Sequence, residues 1–315
     1  MKTPNPPVVS RLAPTPSGFL HAGNAFSFVF TWLWVRKSGG VLRLRIDDLD
    51  SDRARPEYTA DVFETLEWLG LDWDAGPQSP DDFGQNFSQR FRLDSYHGLL
   101  AELRQTGLVY ACDCSRAKSQ SLAVNGLYAG TCRNKHLPLN APNVAWRIRV
   151  PEDVRVMPNA IRRAATDGPR YRVAELMGDF VIRRKDGIPA YQVASLADDL
   201  RYDTNLIVRG ADLLPSTAAQ LYLAQLLDKQ QFTEIIFYHH PLLLDAAGHK
   251  LSKSAGSASI RALRQPATAG GVSPSPAILF QNAARWLGLP AEGVFTAHDL
   301  LRRFGFQLPG NNLPS

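Results

Sequence analysis

Residues 8–24 read VVSRLAPTPSGFLHAGN, and residues 25–46 continue AFSFVFTWLWVRKSGGVLRLRI. Residues 8–12 predict a short strand, and a loop rich in Pro, Gly and Ser leads from it into an apolar helix over 25–37. Gly39 and Gly40 end that helix, and the alternation over 41–46 predicts a second strand. A second helix is expected from Pro56 to the residue before Gly70. This order predicts an α/β protein with a parallel sheet.

The loop between the first strand and the first helix is suited to binding an anion. Free backbone N–H groups and the positive end of a helix dipole meet at such a loop. His21 stands where it could donate a hydrogen bond to a phosphate, and Gly23 would let a nucleotide base approach the backbone. The alternative is an ordinary strand-to-helix loop with a surface histidine.

A second motif, HKLSKS, contains Lys250 and Lys253. Two lysines on a loop of small residues can close over a triphosphate and neutralise charge that develops during transfer. On its own, this motif would be interpreted as a basic surface loop.

Three cysteines lie close together in the chain, at Cys112, Cys114 and Cys132. Three thiolates in a short segment suit a tetrahedral zinc site, whereas an odd number of cysteines cannot all form disulfides. The alternative is three unrelated cysteines. Residues 112–132 are otherwise predicted to be rich in loops.

The 315 residues are 44% hydrophobic and 21% charged, which excludes disordered, collagen-like and coiled-coil classes. Arginine accounts for 27 of the 35 basic residues, and the net charge is +5. Arginine suits phosphate and polynucleotide partners. The most apolar window, residues 25–35, is too short to span a membrane, and the N-terminal residues lack a signal-like apolar segment. We expect a soluble cytoplasmic protein.

The motif that contains His21 resembles the HIGH signature of class I aminoacyl-tRNA synthetases, and the motif that contains Lys250 and Lys253 resembles their KMSKS signature. RLAPTPSGFLHAGN, RIDDLD, IVRGADLL and HKLSKS are similar to the glutamyl-tRNA synthetase family over residues 8–254. The resemblance implies a Rossmann-like class I synthetase catalytic core, with a zinc-containing insertion and a short helical C-terminal appendage. The expected segments are 8–105 (first catalytic half), 106–178 (acceptor-type, zinc-binding insertion), 179–245 (second catalytic half) and 246–315 (KLSKS loop, linker and short helices).

Few residues follow the KLSKS motif, so the helical anticodon-binding region of the family is expected to be missing. In this respect the chain resembles the truncated branch of the family. Its members activate glutamate without tRNA and transfer it to the queuosine base at the wobble position of tRNA-Asp. The implied substrates are L-glutamate, ATP with Mg²⁺, and tRNA-Asp that carries queuosine. No membrane and no obligate protein partner are implied.

The resemblance also implies the site residues. The implied catalytic residues are His21 and Lys253. Those for glutamate are Arg11, Ala13, Thr15, Asp47, Tyr191 and Arg209. Those for ATP are His21, Gly23, Asn24, Lys250 and Lys253. The implied ligands of one structural zinc are Cys112, Cys114, Tyr128 and Cys132.

Two residues depart from the family pattern. Asp47 replaces a glutamate and is one methylene shorter, and Asn24 replaces the last histidine of HIGH. Arg209 could instead pair with Asp212 at the end of a strand. The alternative functions are a minimal synthetase that charges tRNA-Glu, a non-catalytic tRNA-binding paralogue, and a nucleotidyltransferase of the same sheet type.

Overall fold

A computed structural model describes residues 6–160, 169–241, 259–265 and 274–305. Lys250 and Lys253 lie outside the described residues. So does most of the linker expected within residues 246–315, where the stretch QPATAGGVSPSP at 265–276 has linker composition. None of the helices within the described ranges is long and apolar enough to cross a membrane.

The described chain contains ten strands and twelve α-helices. The strands are β1 Val9–Leu12, β2 Val41–Leu44, β3 Val109–Cys112, β4 Ala145–Ile148, β5 Arg155–Val156, β6 Asn159–Ala160, β7 Tyr171–Arg172, β8 Phe180–Arg183, β9 Leu206–Gly210 and β10 Ile236–His240. The helices are α1 Ala22–Lys37, α2 Pro56–Leu69, α3 Pro80–Asp82, α4 Leu93–Gln105, α5 Arg116–Ser121, α6 Val173–Met177, α7 Tyr191–Arg201, α8 Leu214–Leu226, α9 Gln230–Thr233, α10 Ile260–Arg264, α11 Ala277–Trp286 and α12 Ala297–Arg303.

The segments expected to form the catalytic core (the catalytic half) are built on parallel strands, as predicted, and β6 of the expected insertion joins their sheet. β1 pairs with β2, and β10 lies between β9 and β6. β1 also lies beside β9, because the Asn205 N–H donates to the Val9 carbonyl oxygen (2.9 Å) and Ser10 Oγ donates to the Leu206 carbonyl oxygen (2.7 Å). Parallel neighbours end at the same edge of a sheet, so the residues that follow β1 and β9 meet there.

Helix α1 is buried on nearly every side, which explains its lack of a polar face. One side packs against the sheet, and the other is covered by the C-terminal helices. Phe30 lies 4.7 Å from Trp286, and Trp34 lies 5.4 Å from Phe304, measured between ring centroids. A helix that is covered all round needs no amphipathic pattern.

The insertion contains an antiparallel sheet of β3, β4 and β8. β8 falls in the range expected for the second catalytic half, yet its partner is β4 of the insertion. The segment predicted to be loop-rich between the cysteines contains the short helix α5. Its three cysteines are buried against Tyr110 and Tyr128 in a small cluster of their own.

Most predicted elements agree with the structure to within a few residues. α2 ends before Gly70, whose φ of 63° is left-handed, a conformation that glycine adopts without strain. α1 begins three residues earlier than predicted, at Ala22. Helices α4 and α7 were not predicted.

Candidate active site

A cleft of about 420 Å³ lies where β1, β9 and the start of α1 meet. It brings together most of the residues predicted to bind glutamate and ATP, namely Arg11, Ala13, Thr15, His21, Asn24, Tyr191 and Arg209. Residues from positions 11 to 209 of the chain thus share one cavity. Asp47 lines an adjoining cleft, and Gly23 supports the ring of His21.

His21 is the N-cap residue of α1. Its Nδ1 accepts a hydrogen bond from the Gly23 N–H (3.1 Å), which puts the proton of the neutral ring on Nε2. Asn24 Oδ1 in turn accepts from the His21 N–H (3.1 Å), which completes a capping box. The Asn24 departure from HIGH therefore has a local role, since its side chain fixes the start of the helix.

A buried network of charges stands behind the cleft. Arg45 donates through Nε and Nη2 to the two carboxylate oxygens of Asp47 (2.7 and 3.0 Å), and through Nη1 to Asp199 Oδ1 (2.8 Å). Arg11 donates through Nε to the same oxygen of Asp199 (2.9 Å). Burial raises the pKa of Asp47, although Arg45 opposes this rise.

Arg209 is buried and only partly satisfied. Only 4% of the residue is exposed, and Nη2 donates to Gln220 Oε1 (3.0 Å). Nε and Nη1 are buried without a hydrogen-bond partner among the described residues. Burial and the nearby Arg11 lower the pKa of Arg209 to about 10, although Tyr191 and Asp199 oppose this shift. Within the described chain, its hydrogen-bond partner is Gln220 rather than Asp212.

The chain after the KLSKS motif packs against the loop that precedes α1 and carries His21. Ser259 forms an antiparallel bridge with His21, and the Ile260 N–H donates to the Leu20 carbonyl oxygen (2.8 Å). Asp61 connects these two segments, because its carboxylate accepts hydrogen bonds from the Leu20 N–H (2.9 Å) and from Arg264 Nη2 (2.6 Å).

A second cleft, of about 1160 Å³, separates the catalytic half from the insertion. Its catalytic wall includes Asp47 and Arg53, and its insertion wall includes Arg116. Thr15 and Tyr191 line both clefts, so the two cavities adjoin at these residues. A ligand in the smaller cleft can therefore be approached from the larger one.

The three cysteines have the geometry of a metal site. Their sulfur atoms lie within 4.8 Å of one another, and those of Cys114 and Cys132 are 3.5 Å apart. The Tyr128 hydroxyl lies 3.5 Å from the Cys112 sulfur, 16 residues away in the chain. Zn–S bonds of about 2.3 Å in a tetrahedron place sulfurs about 3.8 Å apart, so this donor set fits zinc.

Sequence reasoning missed the residues that support the site, chiefly Arg45, Asp199 and Gln220. Charges within apolar segments, as in RLRI and LADDL, were an available signal, because a buried charge requires a partner. Which partner each charge has could not be inferred from these segments alone.

Comparison with known proteins agrees with this geometry. Residues 7–266 match the family model for class I tRNA synthetases (E and Q), catalytic domain. The chain belongs to this family. As a synthetase of this class it is a ligase that uses ATP with Mg²⁺.

Two curated relatives are similar to this synthetase over 81% of its chain. One is a glutamyl-Q tRNA(Asp) synthetase from Nitratidesulfovibrio vulgaris, 40% identical, of which 80% is covered. The other is a glutamate–tRNA ligase 2 from Acidithiobacillus ferrooxidans, 38% identical, of which 54% is covered. A crystal structure of glutamate-tRNA synthetase from Elizabethkingia anophelis has the same fold, with a TM-score of 0.72 at 23% identity, over 95% of this chain and 66% of that one.

Proposed function

We propose that the protein activates L-glutamate with ATP and Mg²⁺ in the absence of tRNA. It then transfers the glutamyl group to the queuosine base at the wobble position of tRNA-Asp, in the cytoplasm where tRNA is used. The observation that carries the proposal is the pair of adjoining clefts. The smaller cleft is lined by the loop that precedes α1 and by the buried Arg11 and Arg209. It adjoins a larger cavity that has room for a nucleoside.

In the first step, the α-carboxylate of glutamate attacks the α-phosphate of ATP, and pyrophosphate leaves. The N-terminus of α1, His21 and Asn24 lie where they can stabilise charge on the phosphates. Gly23 holds the histidine ring in place. Lys250 and Lys253, whose roles rest on the sequence motif, would neutralise the departing pyrophosphate. When bound with ATP, Mg²⁺ would offset part of the charge of the phosphates.

Glutamate is recognised by charge. Arg11 and Arg209 are cations suited to a carboxylate. A bound carboxylate would accept hydrogen bonds from Nε and Nη1 of Arg209, which have no partner among the described residues. Asp47 and the Tyr191 hydroxyl accept hydrogen bonds from the amine of glutamate. Asp47 can do so while it is paired with Arg45, because each of its carboxylate oxygens keeps a second lone pair. Ala13 and Thr15 shape the wall of the cleft.

In the second step, a hydroxyl of the queuosine cyclopentenediol attacks the carbonyl carbon of glutamyl-adenylate. An ester forms, the hydroxyl proton is lost, and AMP leaves. The larger cleft is the proposed place for the acceptor nucleoside, since it adjoins the smaller one at Thr15 and Tyr191. Its cationic residues, such as Arg116, suit the phosphates on either side of that nucleoside.

One structural zinc is proposed at Cys112, Cys114, Tyr128 and Cys132. The spacing of the sulfurs and the approach of the Tyr128 hydroxyl support it. When bound, the ion would cross-link the insertion that walls the larger cleft, and it takes no part in the two chemical steps.

The test is charging of labelled glutamate onto total tRNA from queuosine-containing and queuosine-free cells. The proposal expects label on tRNA-Asp only when queuosine is present. Label on tRNA-Glu from both sources would instead support a minimal synthetase, which the relatives named glutamate–tRNA ligase 2 favour. No label, together with no glutamate-dependent pyrophosphate exchange, would support a non-catalytic paralogue.

A further inference from the structure

Asp199 lies directly behind the residues proposed to bind glutamate, and its side chain is completely buried. Its Oδ1 accepts from both Arg11 Nε (2.9 Å) and Arg45 Nη1 (2.8 Å). Ser195 Oγ donates to the other oxygen at 3.4 Å. Although burial by itself would raise the pKa of Asp199, Arg11 and Arg45 hold it below its ordinary value, so the group is anionic at neutral pH.

We propose that Asp199 is a positioning residue for glutamate, which fixes Arg11 so that its two terminal nitrogens are presented to the substrate carboxylate. The proposal rests on the glutamate site described above. It does not depend on which tRNA accepts the glutamyl group.

The reason lies in the shape of the guanidinium group. A carboxylate can bind Arg11 at the edge formed by Nε and one terminal nitrogen, or at the edge formed by the two terminal nitrogens. Asp199 occupies Nε, and thereby selects the second edge. The terminal nitrogens have no hydrogen-bond partner within the described part of the chain, and Arg11 lines the cleft.

Asp199 also connects the two ends of the glutamate site. Arg45 bonds Asp199 through Nη1 and Asp47 through Nε and Nη2. Arg11 and Asp47, which would hold opposite charges of the substrate, are therefore linked through one rigid guanidinium. In addition, Asp199 is an anion close to both Arg11 and Arg209 and reduces the repulsion between them.

Asp198, the preceding residue of α7, offers a matched control. It is equally buried, but it bonds Arg92 (2.7 and 2.9 Å), the Tyr96 hydroxyl (2.9 Å) and Gln89 (3.0 Å). Its approach to the network behind the cleft is limited to 3.9 Å from Arg45 Nε. Neutralising either aspartate removes a buried charge that is paired with arginine, but only Asp199 contacts Arg11.

The experiment compares Asp199→Asn with Asp198→Asn. ATP–pyrophosphate exchange is measured with total tRNA present, so that the result does not depend on tRNA-independent activation. We expect Asp199→Asn to raise the KM for glutamate by roughly 30-fold and to change the KM for ATP by less than twofold. Asp198→Asn should lower the melting temperature at least as much, with both KM values within twofold of the parent protein.

Two results would overturn the proposal. One is a KM for glutamate that is unchanged or lower in Asp199→Asn, since a lower value would mean that added positive charge outweighs the position of Arg11. The other is an equal rise of both KM values, which indicates general damage. If Asp199→Asn does not fold, Ser195→Ala keeps both charges and should raise the KM for glutamate about threefold; no change there would equally reject the proposal.

Arg209→Met separates this inference from the proposed function. If Arg209→Met leaves the KM for glutamate unchanged, the glutamate site itself is wrongly assigned. If Arg209→Met abolishes the response to glutamate while Asp199→Asn does not alter it, the site stands and the role of Asp199 is refuted.

Discussion

Replacing Arg209 with methionine should stabilise the substrate-free protein against unfolding. The same replacement should abolish recognition of glutamate. Arg209 has two buried nitrogens without a partner in the described structure, Nε and Nη1. Each such group destabilises a folded protein by about 1–3 kcal/mol. Methionine has a similar length, no charge and flexible packing, so it removes both groups without leaving a large cavity.

The opposing term is the hydrogen bond from Arg209 to Gln220. Its loss leaves Gln220 Oε1 unsatisfied and costs about 1–2 kcal/mol. The net expectation is that Arg209→Met raises the free energy of unfolding by roughly 2–3 kcal/mol. For a chain of this length, each kcal/mol raises the melting temperature by about 1.5 °C. Thermal unfolding with and without glutamate measures both effects. Glutamate should raise the melting temperature of the parent protein but not that of the variant.

Arg92→Met is the matched control, because Arg92 is also buried but its nitrogens bond Asp198. That variant leaves a buried carboxylate uncompensated and should lose about 3–5 kcal/mol. If Arg209→Met is destabilised as much as Arg92→Met, or if glutamate still stabilises it fully, then Arg209 is a structural residue and the reasoning fails.

Three further outcomes are expected. Burial lowers the pKa of His239 to about 4, and Arg209 and His240 add to the shift. The folded state therefore resists protonation of His239, so the free energy of unfolding falls as the pH drops from 6.5 to 4. In urea unfolding over that pH range, the free energy of unfolding of His239→Gln should fall by roughly 2 kcal/mol less than that of the parent protein. Cys132→Ser should abolish binding of one zinc per chain by elemental analysis, and full retention of zinc would contradict the proposed ligand set. Gly76→Ala should lower the free energy of unfolding by about 2–3 kcal/mol in denaturant titration, because φ is +102° and a Cβ would meet the Leu44 carbonyl oxygen; an unchanged midpoint would show that the turn can relax.

Local sequence was enough to predict elements whose signals lie within a few residues. The turn at Gly70 and the parallel order of β1, α1 and β2 depend on neighbouring residues, and they agree with the structure. The first turn of α1 was missed, since its capping box uses His21 and Asn24, which are not a common pair for this role. Helix α7 was missed because its aspartates Asp198 and Asp199 are buried by distant partners and disguise the apolar face. Helix α4 has an ordinary amphipathic pattern, with Tyr96, Leu99, Leu100 and Leu103 buried, so its signal was present in the sequence.

The amino-acid sequence alone specifies which chemical groups are available: an anion-binding loop, arginines suited to carboxylates and three thiols. Their types and local spacing carry that information, because a helix N-terminus or a thiol has the same chemistry in any fold. The partners that hold these groups in place, by contrast, depend on the three-dimensional fold. Arg11 and Asp199 are 188 residues apart in the chain, and no local period relates them. Arg11 lies on β1 and Asp199 on α7, the helix that leads into β9. The pairing of β9 beside β1 brings that helix close to Arg11, where each buried charge requires a partner.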